Sequence, residues 1–133
     1  MRINFILFFL SFLCCAVASG QTRQNFLDSN PAQEHWVDSV FRKMNRREKV
    51  AQMFFVRAHT DKGKAYEESV AELIRKNKVG GLVFFQGGPG RQAALTNYYQ
   101  QISETPLLIA MDAEWGLGMR LDSTISYPYQ MTL

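Results

Sequence analysis

Pro106-Leu107-Leu108-Ile109-Ala110-Met111-Asp112-Ala113-Glu114-Trp115-Gly116-Leu117-Gly118-Met119-Arg120-Leu121 is the stretch that decides the fold. Five apolar residues separate the proline from the first charge, Asp112. A strand with one solvated face would alternate polar and apolar residues, so this run is expected to be a strand buried on both faces, as strands of parallel sheets are. Asp112, Glu114, Trp115, Gly116, Gly118 and Arg120 then fall on the loop leaving its carboxyl end. In parallel α/β folds ligands bind at that end.

Upstream the same kind of segment recurs. Val79-Gly80-Gly81-Leu82-Val83-Phe84-Phe85 reads as a second buried strand, and Phe54-Phe55-Val56 as a short first one. Between them Val70, Leu73 and Ile74, with Ala71 beside them, form the apolar stripe of a helix from about Gly63 to Asn77. Another helix, Arg91 to Ser103, carries Ala94, Leu95, Tyr98 and Ile102 at core spacing. Strand, helix, strand, helix, strand implies an α/β fold with a parallel sheet and right-handed crossovers.

Ahead of the first strand, Trp36, Val37, Val40, Phe41 and Met44 fall at helical spacing from Ala32 onward. Asn45 with Glu48 resembles a capping pair that opens a new helix bearing Val50, Ala51 and Met53. Gln86-Gly87-Gly88-Pro89-Gly90 is expected to be a tight strand-to-helix turn, since it lacks the Gly-Lys-Ser/Thr ending of a phosphate loop. His59, in the polar connection Arg57 to Gly63, is either a solvated loop residue or a ligand contact or acid-base group. Solvation is the commoner state of a lone loop histidine.

The 133-residue chain is long enough for about one domain. Residues 1–20 read as an export signal, with a basic start at Arg2, a run from Ile3 to Leu13 that is apolar apart from Asn4 and Ser11, and the small-x-small site Ala16-Val17-Ala18. That run is shorter than the roughly 20 residues needed to span a bilayer. Cleavage would remove Cys14 and Cys15, and with them disulfides and thiolate metal sites; Leu13 argues against a lipidated Cys14. Residues 21–31 are a polar leader, and the folded part starts at residue 32.

The formal charge of +3 becomes +2 without Arg2, and acids and bases are mixed along the chain, so no stripe suited to nucleic acid is present. The expected location is periplasmic or secreted, with no membrane association after cleavage. No cofactor and no metal are expected, and the oligomeric state is left open.

Lys49-Val50-Ala51-Gln52-Met53-Phe54, Val79 to Phe85, Leu95-Thr96-Asn97 and, above all, Pro106 to Glu114 through Arg120-Leu121 resemble the start of the amino-terminal domain of glycoside hydrolase family 3. The likeness runs from Asn45 to Leu133 and is to the β-N-acetylglucosaminidase-like members. It implies a TIM-type (β/α)8 barrel of which this chain carries the first three βα units, and hydrolysis of β-linked sugars with retention. The substrate it implies is a β-linked oligosaccharide or a peptidoglycan-derived sugar.

In that resemblance Asp112 matches the Asp that binds hydroxyls of the non-reducing-end sugar, and Arg120 matches the Arg that also contacts substrate. The chemistry agrees, because a carboxylate accepts from two vicinal hydroxyls and a guanidinium donates in a fixed fork. An ion pair that merely fixes the loop would use the same two residues. Glu114 is expected to support nearby backbone or an Arg. Trp115-Gly116 stands where the family has Gly-Gly, and Trp115 is either a sugar-stacking ring or a loop anchor.

Retaining hydrolysis needs a nucleophile and an acid/base group on either side of one bond. The family's Asp nucleophile comes from a later strand and its Asp-assisted His from a loop beyond the third strand, so no catalytic residue is assigned here. The expectation is therefore the opening part of an exported glycosidase, with residues 21–133 alone inactive and not cooperatively folded. A non-catalytic carbohydrate-binding module, a β-glucosidase-type member of the same family, and another (β/α) barrel enzyme are the alternatives.

Overall fold

The computed structural model describes residues 30–129 and 131. The signal reading and most of the leader fall outside them. The chain divides into two compact units, residues 1–34 and 35–133. In the described part of the first, the Asn30 side chain accepts from the Ala32 amide at 2.9 Å and starts a helix. This helix, α1 (Pro31–Lys43), continues into the second unit. Its spacing was legible, but Trp36, Val37 and Phe41 remain exposed, so the expected apolar stripe is not buried.

Helix α2 (Arg46–Ala51) opens as the Asn45–Glu48 pattern requires. The Asn45 side chain accepts from the Glu48 amide at 3.0 Å, and the Glu48 carboxylate accepts from the Asn45 amide at 2.8 Å. Two amide donors that a helix start leaves orphaned are thereby satisfied.

Strands β1 (Phe55–Ala58), β2 (Gly81–Phe84) and β3 (Leu108–Met111) form a parallel sheet in the order β1-β2-β3, joined by helices α3 (Lys64–Asn77) and α4 (Pro89–Ile102). The first strand lies further on than Phe54–Val56, because Arg57 and Ala58 pair with Val83 and Phe84. Helix α4 begins at Pro89 rather than Arg91, since the proline's fixed φ suits a first turn whose amide needs no partner.

Register settles which side of the sheet is covered. Rows Val56–Leu82–Ile109 and Ala58–Phe84–Met111 lie on one face, and rows Phe55–Gly81–Leu108 and Arg57–Val83–Ala110 on the other. Leu82, Phe84 and Ala58 join Val70, Ala71 and Ile74 of α3 and Leu95 and Tyr99 of α4 in one buried core. Both helices therefore cover the same face. Leu73 lies outside that core, exposed on α3.

This corrects the reading of β3 as buried on both faces: Leu108 is 66 % and Ile109 37 % exposed. Leu108 points to the helix-free face, and β3 is one of the two edge strands of the described sheet. Ile109 and Met111 instead line a groove with Ala93 and Thr96 of α4. An apolar run establishes that a strand favours an apolar setting, not that both of its sides have found one.

Among the described residues Tyr99 is the largest fully buried side chain. Its hydroxyl donates to the Glu67 carbonyl at 3.0 Å, and burial raises its pKa well above the ordinary value. At the amino end of the sheet, Lys78 bridges Glu48 and Glu104 at 2.8 Å each, which raises its own pKa and lowers that of Glu48. No helix among the described residues is long and apolar enough to cross a membrane.

Candidate functional site

Three loops leave the carboxyl ends of the strands and are stitched to one another. The Thr60 amide donates to the Gln86 carbonyl at 3.1 Å, and the Gly88 amide donates to Thr60 Oγ1 at 3.1 Å. On the other side, the Gly87 amide donates to the Arg120 carbonyl at 3.2 Å and the Asp122 amide to the Gly87 carbonyl at 2.8 Å. Arg91 adds bonds to the Thr60 carbonyl at 3.2 Å and to Asp122 Oδ2 at 2.8 Å. Gly87 is at the centre with φ +149, and a Cβ there would collide with Thr60 Oγ1. The glycine cluster is thus a turn holding loops together, as its sequence suggested.

Asp112 is the first residue beyond β3, and Arg120 follows a short 3-10 turn, Leu117–Met119. Arg120 reaches back with a fork, Nη2 to Asp112 Oδ2 at 2.7 Å and Nε to the Asp112 carbonyl at 2.6 Å. The Arg120 side chain is 14 % exposed and the Asp112 side chain 49 %, so the guanidinium is sheathed while the carboxylate looks outward. Glu114 is exposed on the same turn.

The strand alternation that ends at Ala110 carries Asp112 to the helix-free face, and the same alternation carries Phe85 there beyond Val83. The ring of Phe85 becomes a hub. The Arg57 guanidinium lies 4.8 Å from its centroid and that of Arg120 4.7 Å, both within cation–π range. Sequence reading passed over Arg57 and Phe85. Their signal was the two-residue period that links Arg57, Val83 with Phe85, and Ala110 with Asp112 across three neighbouring strands.

His59 overturns the expectation of a solvated loop residue, being only 7 % exposed. Its ring stacks on Phe85 at 5.5 Å and meets Tyr66 edge-on at 5.6 Å. Among the described residues neither ring nitrogen has a hydrogen-bond partner, and Asp61 Oδ1 stands 3.5 Å from Nδ1 without the geometry of a bond. Burial, reinforced by the positive charge of Lys62, lowers its pKa below 6.5 against the opposing pull of Asp61. The imidazole is accordingly neutral at neutral pH. Tyr66, which closes the slot, donates its hydroxyl to the Arg57 carbonyl at 2.8 Å.

Trp115 meets Tyr129 edge to face with centroids 4.8 Å apart. Its own φ is not positive, so the position does not demand the glycine found there in the resembled family. Gly116, at φ +95, is the residue that does.

Chemically, the face offers an outward carboxylate oriented by a sheathed guanidinium, a second guanidinium, and aromatic walls. These are groups for holding hydroxyls and flat rings. Among the described residues no three His, Cys, Asp or Glu side chains gather as a metal set. No model of a known protein family matches the chain, and no curated protein matches it significantly.

Proposed function

We propose that this chain is the substrate-binding opening portion of an exported, retaining glycoside hydrolase of family 3, acting on β-linked N-acetylglucosamine. Asp112 holds hydroxyls of the non-reducing-end sugar, and Arg120 holds Asp112 in position while contributing a substrate contact of its own. The nucleophile and the acid/base group belong to later strands of the barrel. Asp112 and Glu114 cannot take those parts, because residues two apart on one strand end do not flank a scissile bond from opposite sides.

The observation that carries this reading is the placement of the Asp112–Arg120 fork on the helix-free face, at the carboxyl end of a parallel sheet. Consecutive neighbouring strands with their helices on one side are the winding of a (β/α) barrel, whose opposite face becomes the interior and whose carboxyl mouth binds substrate. Half of a doubly wound sheet has the same winding. There, however, helices would cover the second face, and Arg57, Phe85 and Asp112 would lie beneath them. A polar, aromatic-walled cluster on that face suits a barrel mouth.

Ligand-observed NMR of the chain with N,N′-diacetylchitobiose tests the reading, because the method detects weak binding. Saturation transfer to the sugar protons is expected, and it should fall at least tenfold in Asp112→Asn. Absence of transfer, or equal transfer in the variant, overturns the assignment.

A further inference from the structure

The loop from Asp112 to Arg120 carries a feature that the sugar-binding reading of Asp112 leaves unused. Residues 125–129 double back across it. Gly118 and Gly116 make the close approach possible: a Cβ on Gly118 would stand 2.8 Å from Ser126 Cα, and one on Gly116 would stand 3.1 Å from Cδ2 of Tyr127. The returning segment thereby brings Tyr127 onto the loop and Tyr129 against Trp115, three residues past Asp112. Tyr127 is 60 % and Tyr129 62 % exposed. A segment folded back only to complete a core would bury such rings, since each can remove well over 100 Å² from water.

We infer that Trp115 and Tyr129, flanked by Tyr127, form a stacking platform for a pyranose ring of the same β-linked oligosaccharide whose terminal sugar Asp112 holds. The inference rests on the sugar-binding reading of Asp112. A β-linked gluco-configured ring carries its polar substituents around its equator, so its two faces are flat arrays of C–H groups. Its equatorial hydroxyls suit a carboxylate, and its faces suit an aromatic ring. The loop presents both kinds of group within a few residues. An edge-to-face pair also leaves a ring face that the partner ring does not cover. The Trp-Gly-Leu-Gly sequence is explained by the same construction, Trp115 supplying a ring and the glycines the clearance for the returning chain.

The chain contains two tryptophans, Trp36 and Trp115, so Trp36→Phe leaves Trp115 as the sole indole reporter. Titration of that variant with N,N′-diacetylchitobiose should shift and saturate the Trp115 emission. Tyr129→Ala should weaken binding about two- to tenfold, the range expected for one aromatic contact. Binding that depends on Asp112 yet leaves the emission unchanged would overturn the platform and spare the Asp112 assignment. No binding at all overturns both. The emission reading stands even if Tyr129→Ala proves unstable, because it is made with Tyr129 in place.

Discussion

Arg120 grips Asp112 at two points, the carboxylate oxygen Oδ2 at 2.7 Å and the backbone carbonyl at 2.6 Å. One guanidinium thus fixes both the side chain and the turn that carries it. The structural role and the proposed ligand role do not exclude one another, and they have separable signatures.

For stability, Asp112→Asn, Arg120→Gln and the double variant should each cost about 1 kcal/mol, since each removes the same partly exposed pair. For affinity, Asp112→Asn should weaken chitobiose binding by about tenfold to a hundredfold, because a charge-assisted hydrogen bond contributes roughly 1.5–3 kcal/mol. Urea unfolding and calorimetric titration of the full-length enzyme measure the two quantities, and the stability predictions below refer to the same protein, since residues 21–133 alone are not expected to unfold cooperatively. Additive stability losses would dismiss the coupling, and unchanged affinity would dismiss the ligand role.

Gly87→Ala should destabilise by about 1–3 kcal/mol, as overpacking does, because the new methyl would fall on Thr60 Oγ1 at the junction of the three loops. Gly90→Ala is the control. Among the described residues nothing lies within 4 Å of its Cβ position at the second residue of α4, and removing a glycine there should add at most the roughly 0.5–1 kcal/mol of a mid-helix glycine. Equal urea midpoints for the two variants would contradict the stitched-loop description.

His59 predicts a pH dependence of definite sign. Its folded-state pKa is lowered, so between that value and the unfolded value near 6.5 the unfolded chain binds more protons. The stability contributed by the neutral ring is complete above pH 6.5 and is lost as the pH falls from there toward the folded-state pKa. His59→Phe keeps a ring beside Phe85 and should flatten this part of the stability profile. An NMR titration that placed the His59 midpoint at or above 6.5 would refute it.

Tyr99→Phe should cost about 1 kcal/mol, the net contribution of a hydrogen bond whose loss leaves the Glu67 carbonyl without its buried donor. Tyr99→Ala should cost about 3–5 kcal/mol through the cavity as well. Similar thermal midpoints for the Phe and Ala variants would show that the ring is not the centre of the packing between α3 and α4.

Features written in consecutive residues were legible without coordinates. The Asn45–Glu48 capping box, the extent of α3, the Gly87 turn and the position of Asp112 just past a strand all depend on contacts within a few residues, or on the period of one element. The α/β class followed from the order of those elements. What the sequence did not contain was the coverage of the sheet. Leu108 and Ile109 look alike in an apolar run, yet register turns one toward the open face and the other toward α4.

The same holds for the site. His59 reads as an ordinary loop histidine until Phe85 and Tyr66, from two other elements, enclose it. Arg57 and Phe85 acquire meaning when parallel pairing aligns strand ends that are more than twenty-five residues apart in the chain. Local sequence fixed which residues stand at the strand ends, because backbone periodicity is a short-range property. Tertiary structure alone decided which of them meet and which are shielded from water, because burial depends on segments brought together across the whole sheet.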